Sequence, residues 1–103
     1  MGSPAFAEDW VVQDGDGIRA ALEGRVVDYD DAWQDFRVSG RTLYNAGENS
    51  WGNWEVRGDR YCSQWPPSQG WDCYELDVSA DGSGVRFRGE HGDTYVATYR
   101  GTE

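Results

Sequence analysis

Trp54-Glu55-Val56-Arg57-Gly58-Asp59-Arg60-Tyr61-Cys62-Ser63-Gln64-Trp65, continued after Pro66-Pro67-Ser68-Gln69-Gly70 by Trp71-Asp72-Cys73-Tyr74-Glu75-Leu76-Asp77-Val78, decides the fold. Gly-Asp is a pair that reaches the positive φ of a tight hairpin. A two-residue turn at Gly58-Asp59 sets Arg57 opposite Arg60, Val56 opposite Tyr61, Glu55 opposite Cys62 and Trp54 opposite Ser63. If Cys62 also faces Cys73, Tyr61 faces Tyr74, Arg60 faces Glu75 and Asp59 faces Leu76. Side chains alternate between the faces of a strand. One face then collects Trp54, Val56, Tyr61, Tyr74, Leu76 and Val78; the other takes Glu55, Arg57, Arg60, Glu75 and both cysteines. Turn and disulfide agree on the same inside, and a one-residue slip would scatter the apolar set.

Outward from this centre, three more hairpins can be placed. Phe36-Arg37-Val38 turns at Ser39-Gly40 into Arg41–Tyr44, Tyr61–Trp65 turns through Pro66–Gly70 into Trp71–Val78, and Val85–Arg88 turns near His91-Gly92 into Tyr95–Tyr99. Such closely spaced strands predict an antiparallel meander of six to eight strands, rolled into a small barrel or sandwiched. Before it lies one helix candidate near residues 16–23. Asp16 can cap it, Ile18, Ala21 and Leu22 share a face, and Gly24 supplies a left-handed stop. Two turns are too short to stand without packing. Six Trp, six Tyr and three Phe stand against only four Leu and Ile, so the core must use rings. At 103 residues there is room for one domain, residues 8–103.

Ala5-Phe6-Ala7 before Glu8-Asp9 reads as the small-x-small end of a secretory signal cut after Ala7. Met1-Gly2-Ser3 then reads as a cloning remnant, and residues 1–7 as a disordered tail. The expected location is the periplasm or the extracellular space, where a Cys62–Cys73 disulfide would persist. That bridge closes a loop of about twelve residues and is worth roughly 3 kcal/mol in the loop-entropy picture. A metal pair lacks partners, since His91 is the only histidine, and a redox dithiol wants Cys-x-x-Cys. No apolar run approaches the ~20 residues that cross a bilayer, so a soluble monomer without a membrane span is expected.

The pattern Gly52-x-Trp54-x-Val56-x-Gly58-Asp59-x-Tyr61-Cys62-x-x-Trp65, followed by Cys73-Tyr74-x-Leu76, resembles a family of small exported bacterial proteins of unknown function. In that family a short Ile/Leu helix, here Ile18 and Leu22 before Gly24, precedes an all-β meander of calycin-like, lipocalin-like shape. The resemblance spans most of residues 14–99. It implies export and fold, and transfers no activity and no site residue.

Nineteen carboxylates face nine arginines without a lysine, a net charge of −10. Nucleic acid and anionic lipid are bound by basic patches, so neither is an expected partner. A basic protein is. Catalysis finds no named arrangement: with both cysteines paired, His91 is the only obvious base, and no Gly-x-Ser-x-Gly elbow occurs. The chain is read as a non-enzyme without cofactor or metal. Asp14-Gly15-Asp16-Gly17 and Asp28-Tyr29-Asp30-Asp31 with Asp35 hint at calcium, but Ile18 and Arg25 fall where a twelve-residue loop needs ligands. Helix capping and solvated loop explain the acids better. Arg57-Gly58-Asp59 matches an adhesion tripeptide, yet it is what the hairpin wants.

Trp51, Trp65 and Trp71 are the candidate ligand-binding residues: rings near strand ends and loops form platforms or hot spots. The plainer alternative is that Trp65 and Trp71 cover the disulfide and seal the barrel end. The functional expectation is a binding module taking a glycan, lipid or small apolar ligand at an aromatic rim or barrel mouth. Two alternatives stand beside it: an acidic inhibitor of a basic secreted enzyme such as lysozyme, and a structural envelope protein without a discrete site.

Overall fold

The central hairpin stands in the register its turn demands. A computed structural model describes residues 9–100; the expected cleavage point after Ala7 and the tail of residues 1–7 lie outside them. β5 (Asn49–Arg57) and β6 (Arg60–Gln64) pair with Arg57 opposite Arg60 and Trp54 opposite Ser63, and Gly58 takes φ +59°. β7 (Trp71–Ser79) continues with Tyr61 opposite Tyr74 and Cys62 opposite Cys73. The pairings expected further along, Arg60 with Glu75 and Asp59 with Leu76, do not form. Strand twist carries the β5–β6 turn away, and the vacated edge is taken by β1 (Trp10–Val12), with Val11 opposite Val78. The Gln13 N–H donates to the Leu76 carbonyl at 2.9 Å, completing that handover.

β2 (Arg25–Asp28), β3 (Trp33–Phe36), β4 (Arg41–Asn45), β8 (Gly84–Gly89) and β9 (Thr94–Tyr99) complete an up-and-down meander. Each strand from β2 to β9 bonds its successor, and β9 returns to β2. The result is an eight-stranded antiparallel closed barrel with β1 as an extra strand on β7. The all-β reading with one short helix and a disulfide holds. Closure rests on two pairs, Val27 with Tyr99 and Asp28 with Thr98. Arg100 grips both Asp28 oxygens across this seam, at 2.6 and 3.2 Å.

Two local expectations change. The strand expected over Phe36–Val38 instead ends at Phe36, and Val38 stands 72% exposed in a turn closed by Arg37 N–H donating to the Arg41 carbonyl. The helix α1 (Gly15–Leu22) begins before Asp16 and is capped by Asp14, whose carboxylate accepts from Gly17 N–H at 2.8 Å. A tertiary contact sets that start. The Gly15 N–H donates to Asp59 in the β5–β6 turn at 2.9 Å, and a side chain on Gly15 would collide with the Gly58 carbonyl.

The helix plugs one end of the barrel. Ile18, Ala21 and Leu22 are buried against Val27, Trp54 and Phe36 in one core. Full burial of Ile18 and Leu22 contributes roughly 1.5–3 kcal/mol each. Gly24, at φ +75°, ends the helix as expected and donates to the Phe36 carbonyl, while the Tyr99 hydroxyl donates to the Ala21 carbonyl at 2.8 Å. The core is built of rings: Phe36 meets Trp54 and Tyr61 edge-on, both at 5.7 Å, and stacks on Phe87 at 6.3 Å.

Cys62 and Cys73 are bonded across β6 and β7, with Cys62 fully buried. Reduction, or the Cys62→Ser/Cys73→Ser pair, is expected to cost about 3 kcal/mol and to lower the melting temperature by on the order of 10 °C. Calorimetric melts with and without reductant check this. An unchanged midpoint would show that the cross-strand register holds without the bridge.

Candidate functional site

The end opposite the helix is open. Loops after β2, β4, β6 and β8 gather there, and the barrel interior between them forms a cavity of about 660 Å³. Alternation along the strands builds its walls. Gln34 on β3, Tyr44 on β4, Tyr61 and Ser63 on β6, Tyr74 on β7 and Phe87 on β8 point inward, and Tyr29, Trp65 and Tyr95 stand nearer the mouth. Among the described residues, no lining side chain is an acid, an arginine or a histidine.

A hydrogen-bonded floor fixes these rings. Gln34 is 4% exposed; its amide donates to the Thr42 hydroxyl at 3.0 Å and to the Tyr61 hydroxyl at 3.3 Å, and its carbonyl accepts from Tyr29 at 2.8 Å. Thr42 passes its own proton to the Asp35 carbonyl at 2.8 Å. Every buried polar atom in this network is paired, which is the condition under which a buried network rigidifies a site. Burial pushes the Tyr61 hydroxyl up to about 12, outweighing hydrogen bonds with Ser63 and Gln34 that act the other way. Burial likewise raises Tyr29, reinforced by Tyr61, Tyr44 and Tyr74, and raises Tyr74. These hydroxyls are therefore neutral at neutral pH.

The three candidate tryptophans part company. Trp65 lines the cavity: its indole N–H donates to the Ser63 hydroxyl at 3.2 Å and its ring meets Tyr44 edge-on at 6.1 Å. Gly52 makes room for it, since a Cβ there would lie 2.6 Å from the ring. Trp51 borders the cavity at the start of β5. Alternation from Trp54 and Gly52 nonetheless turns its ring to the outer wall, between the Arg37 and Arg41 guanidiniums at 5.0 and 4.9 Å. Trp71 is outside as well, on the cysteine face, under Arg57 at 4.5 Å. It borders a smaller cleft of about 270 Å³ with Asp72, Cys73, Glu90 and His91. The expected single rim of three indoles is thus one cavity ring and two outer-wall rings.

Sequence reasoning missed most of the cavity. Tyr29 was hidden in the acidic run Asp28–Asp31, and Gln34 required β3 to begin at Trp33. The one available signal was alternation: carrying inward positions back from Phe36 reaches Gln34. Three members of the acidic clusters have partners, Asp28 in Arg100, Asp35 in Arg37 and Asp14 in the helix N-terminus. Among the described residues, no three His, Cys, Asp or Glu side chains gather as a metal site. Arg57-Gly58-Asp59 is the β5–β6 turn, with Asp59 engaged by Gly15.

Compared with protein-family models, with curated proteins and with solved structures, the chain matches none.

Proposed function

We propose that this barrel is an exported, non-enzymatic binding module that holds a small molecule in its open end. The observation that carries the reading is the cavity of about 660 Å³ walled by rings and neutral hydroxyls over a fully paired floor. Small-molecule sites are concave, mostly apolar, largely preformed and of roughly 300–1,000 Å³, with a few convergent polar groups. The helix plug leaves one way in. Export is supported by the Cys62–Cys73 bridge, which an oxidising compartment forms and keeps. The helix-then-barrel order supports kinship with the small exported calycin-like proteins whose pattern the sequence resembles.

Calorimetric titration with muropeptides, neutral sugars, fatty acids and short-chain amines tests the reading. A ligand seated in the cavity is expected to bind Trp65→Ala at least ~10-fold more weakly and Trp71→Ala as tightly as the parent, with melts confirming that both variants fold. Equal losses in both variants would place the ligand on the outer wall. Binding to lysozyme alone, steeply weakened by salt, would favour the acidic-inhibitor reading. No binding throughout would leave a structural envelope protein.

A further inference from the structure

We infer that the cavity takes an organic cation, a quaternary ammonium or protonated amine carried on a small apolar body. The inference rests on the cavity being a ligand site and names the chemistry of what enters it.

The first observation is how the rings are set. Tyr74 meets Phe87 at 84° and Tyr95 at 73°, Tyr44 meets Trp65 at 70°, and Tyr61 meets Phe87 at 61°. Rings at steep angles wall a space from several sides, so they suit a rounded head group better than the flat face of a sugar. Each ring face carries the negative lobe of its quadrupole, which attracts a desolvated cation; aromatic cages for quaternary ammonium work in this way.

The second observation is where the arginines are. The outer-wall rings already hold cations supplied by the chain: Arg86 over Trp10 at 4.8 Å, Arg100 over Trp33 at 5.3 Å, and Arg57 over Trp71 at 4.5 Å. Arg37 and Arg41 flank Trp51, and at the helix end Arg25 covers Tyr99, a core-packed ring away from the cavity, at 3.8 Å. Among the described residues, no arginine lines the cavity. The cavity rings nearer the mouth, Tyr44, Trp65, Tyr74 and Tyr95, are therefore covered by no arginine of the chain.

The third observation is the field at the mouth. The loops of the open end carry Asp30, Asp31, Glu48 and Asp93, with Asp72 beside them, and no arginine; Glu90 is there too but is paired with Arg60 at 2.9 Å. Acids around a neutral, low-dielectric well focus a negative potential along its axis and raise the local concentration of cations. The same field opposes a fatty-acid carboxylate or a phosphate, for which the lining offers no counter-charge.

Choline, its uncharged isostere 3,3-dimethylbutan-1-ol and hexanoate, titrated into the full chain by NMR at low and at ~0.2 M salt, test the inference. Choline is expected to bind at least ~10-fold more tightly than the isostere, with a margin that narrows as salt rises, and hexanoate is expected not to bind. Tyr44→Leu keeps an apolar wall without the ring and is expected to shrink that margin, while Tyr44→Phe restores it. Equal affinity for choline and the isostere, or binding of hexanoate or neutral sugars in place of choline, would overturn the cation inference and leave the cavity reading standing. Silence from these probes and from the wider panel would overturn both.

Discussion

Asp77→Ala is expected to cost about 3–5 kcal/mol and to lower the melting temperature by ~15 °C or more. Asp77 lies on the outer face of β7 yet has no exposed surface. Arg86 and Arg88 both donate through Nε to one of its oxygens at 2.7 Å, and Arg88 adds a second bond to the other at 2.8 Å. Trp10 lies beneath the Arg86 guanidinium, and β1 runs alongside, with Val12 opposite Asp77. Removing the carboxylate leaves two neighbouring guanidiniums facing a void, which is why breaking such a pair costs more than the pair itself contributes. Replacing Asp77, Arg86 and Arg88 together by apolar residues of similar shape is expected to recover much of the loss. Burial alone would raise the Asp77 carboxyl, but hydrogen bonds from Arg88 and Arg86, with their charge, hold it below the ordinary carboxylate value. Its stabilisation is therefore complete above the unfolded-state value of about 3.9 and fades as pH falls through the lower folded-state value. Melts from neutral to acid pH should show this limb in the parent and a flatter one in Asp77→Ala. A variant that melts with the parent would show that Asp77 does not hold the outer face together.

Phe36→Ala should be as severe, at about 3–5 kcal/mol, and it also reaches the site. Phe36 is fully buried in the same cluster as the helix plug. It stacks on Phe87 and meets Tyr61 edge-on, and both of those rings line the cavity. The void it leaves lies directly beneath the cavity wall. Denaturant melts measure the loss, and titration with alkyl-trimethylammonium ions of increasing tail length reads the depth. The variant is expected to shift its preference towards longer tails. Loss of stability without any change in length preference would mean that Tyr61 and Phe87 keep the void sealed.

What was legible in the sequence was local or doubly constrained. Gly58-Asp59 fixed one pairing and the cysteines fixed the next, so Trp54, Tyr61, Tyr74 and Leu76 were all assigned to the inside. One misreading comes from a long-range contact, and the others from where turns and strands begin. Asp14 rather than Asp16 caps α1 because Gly15 is held by a turn 44 residues away. Val38 has a strand former's side chain but falls in a turn, since the backbone closes from Arg37 to Arg41. Trp51 stood out as an aromatic near a loop, yet its direction follows from the full length of β5, which runs back to Asn49. Tyr29 and Gln34 meet across the β2–β3 hairpin, which the acidic run around Tyr29 disguised as loop, and Gln34 reaches Tyr61 only when the barrel forms.

The seam between β2 and β9 makes the barrel wall uneven. It is held by two residue pairs where β5 and β6 share five, and it joins the two ends of the meander. Ring closure across so much chain is entropically the latest contact to form, so folding should lay down the hairpins first and zip this edge last. In the folded state, the amide protons that face this seam, those of Asp28, Thr98 and Arg100 (whose N–H donates to the Val26 carbonyl), should exchange with solvent ahead of those in β5 and β6. Each such opening would part the wall sideways, a second route to the interior that bypasses the acidic mouth.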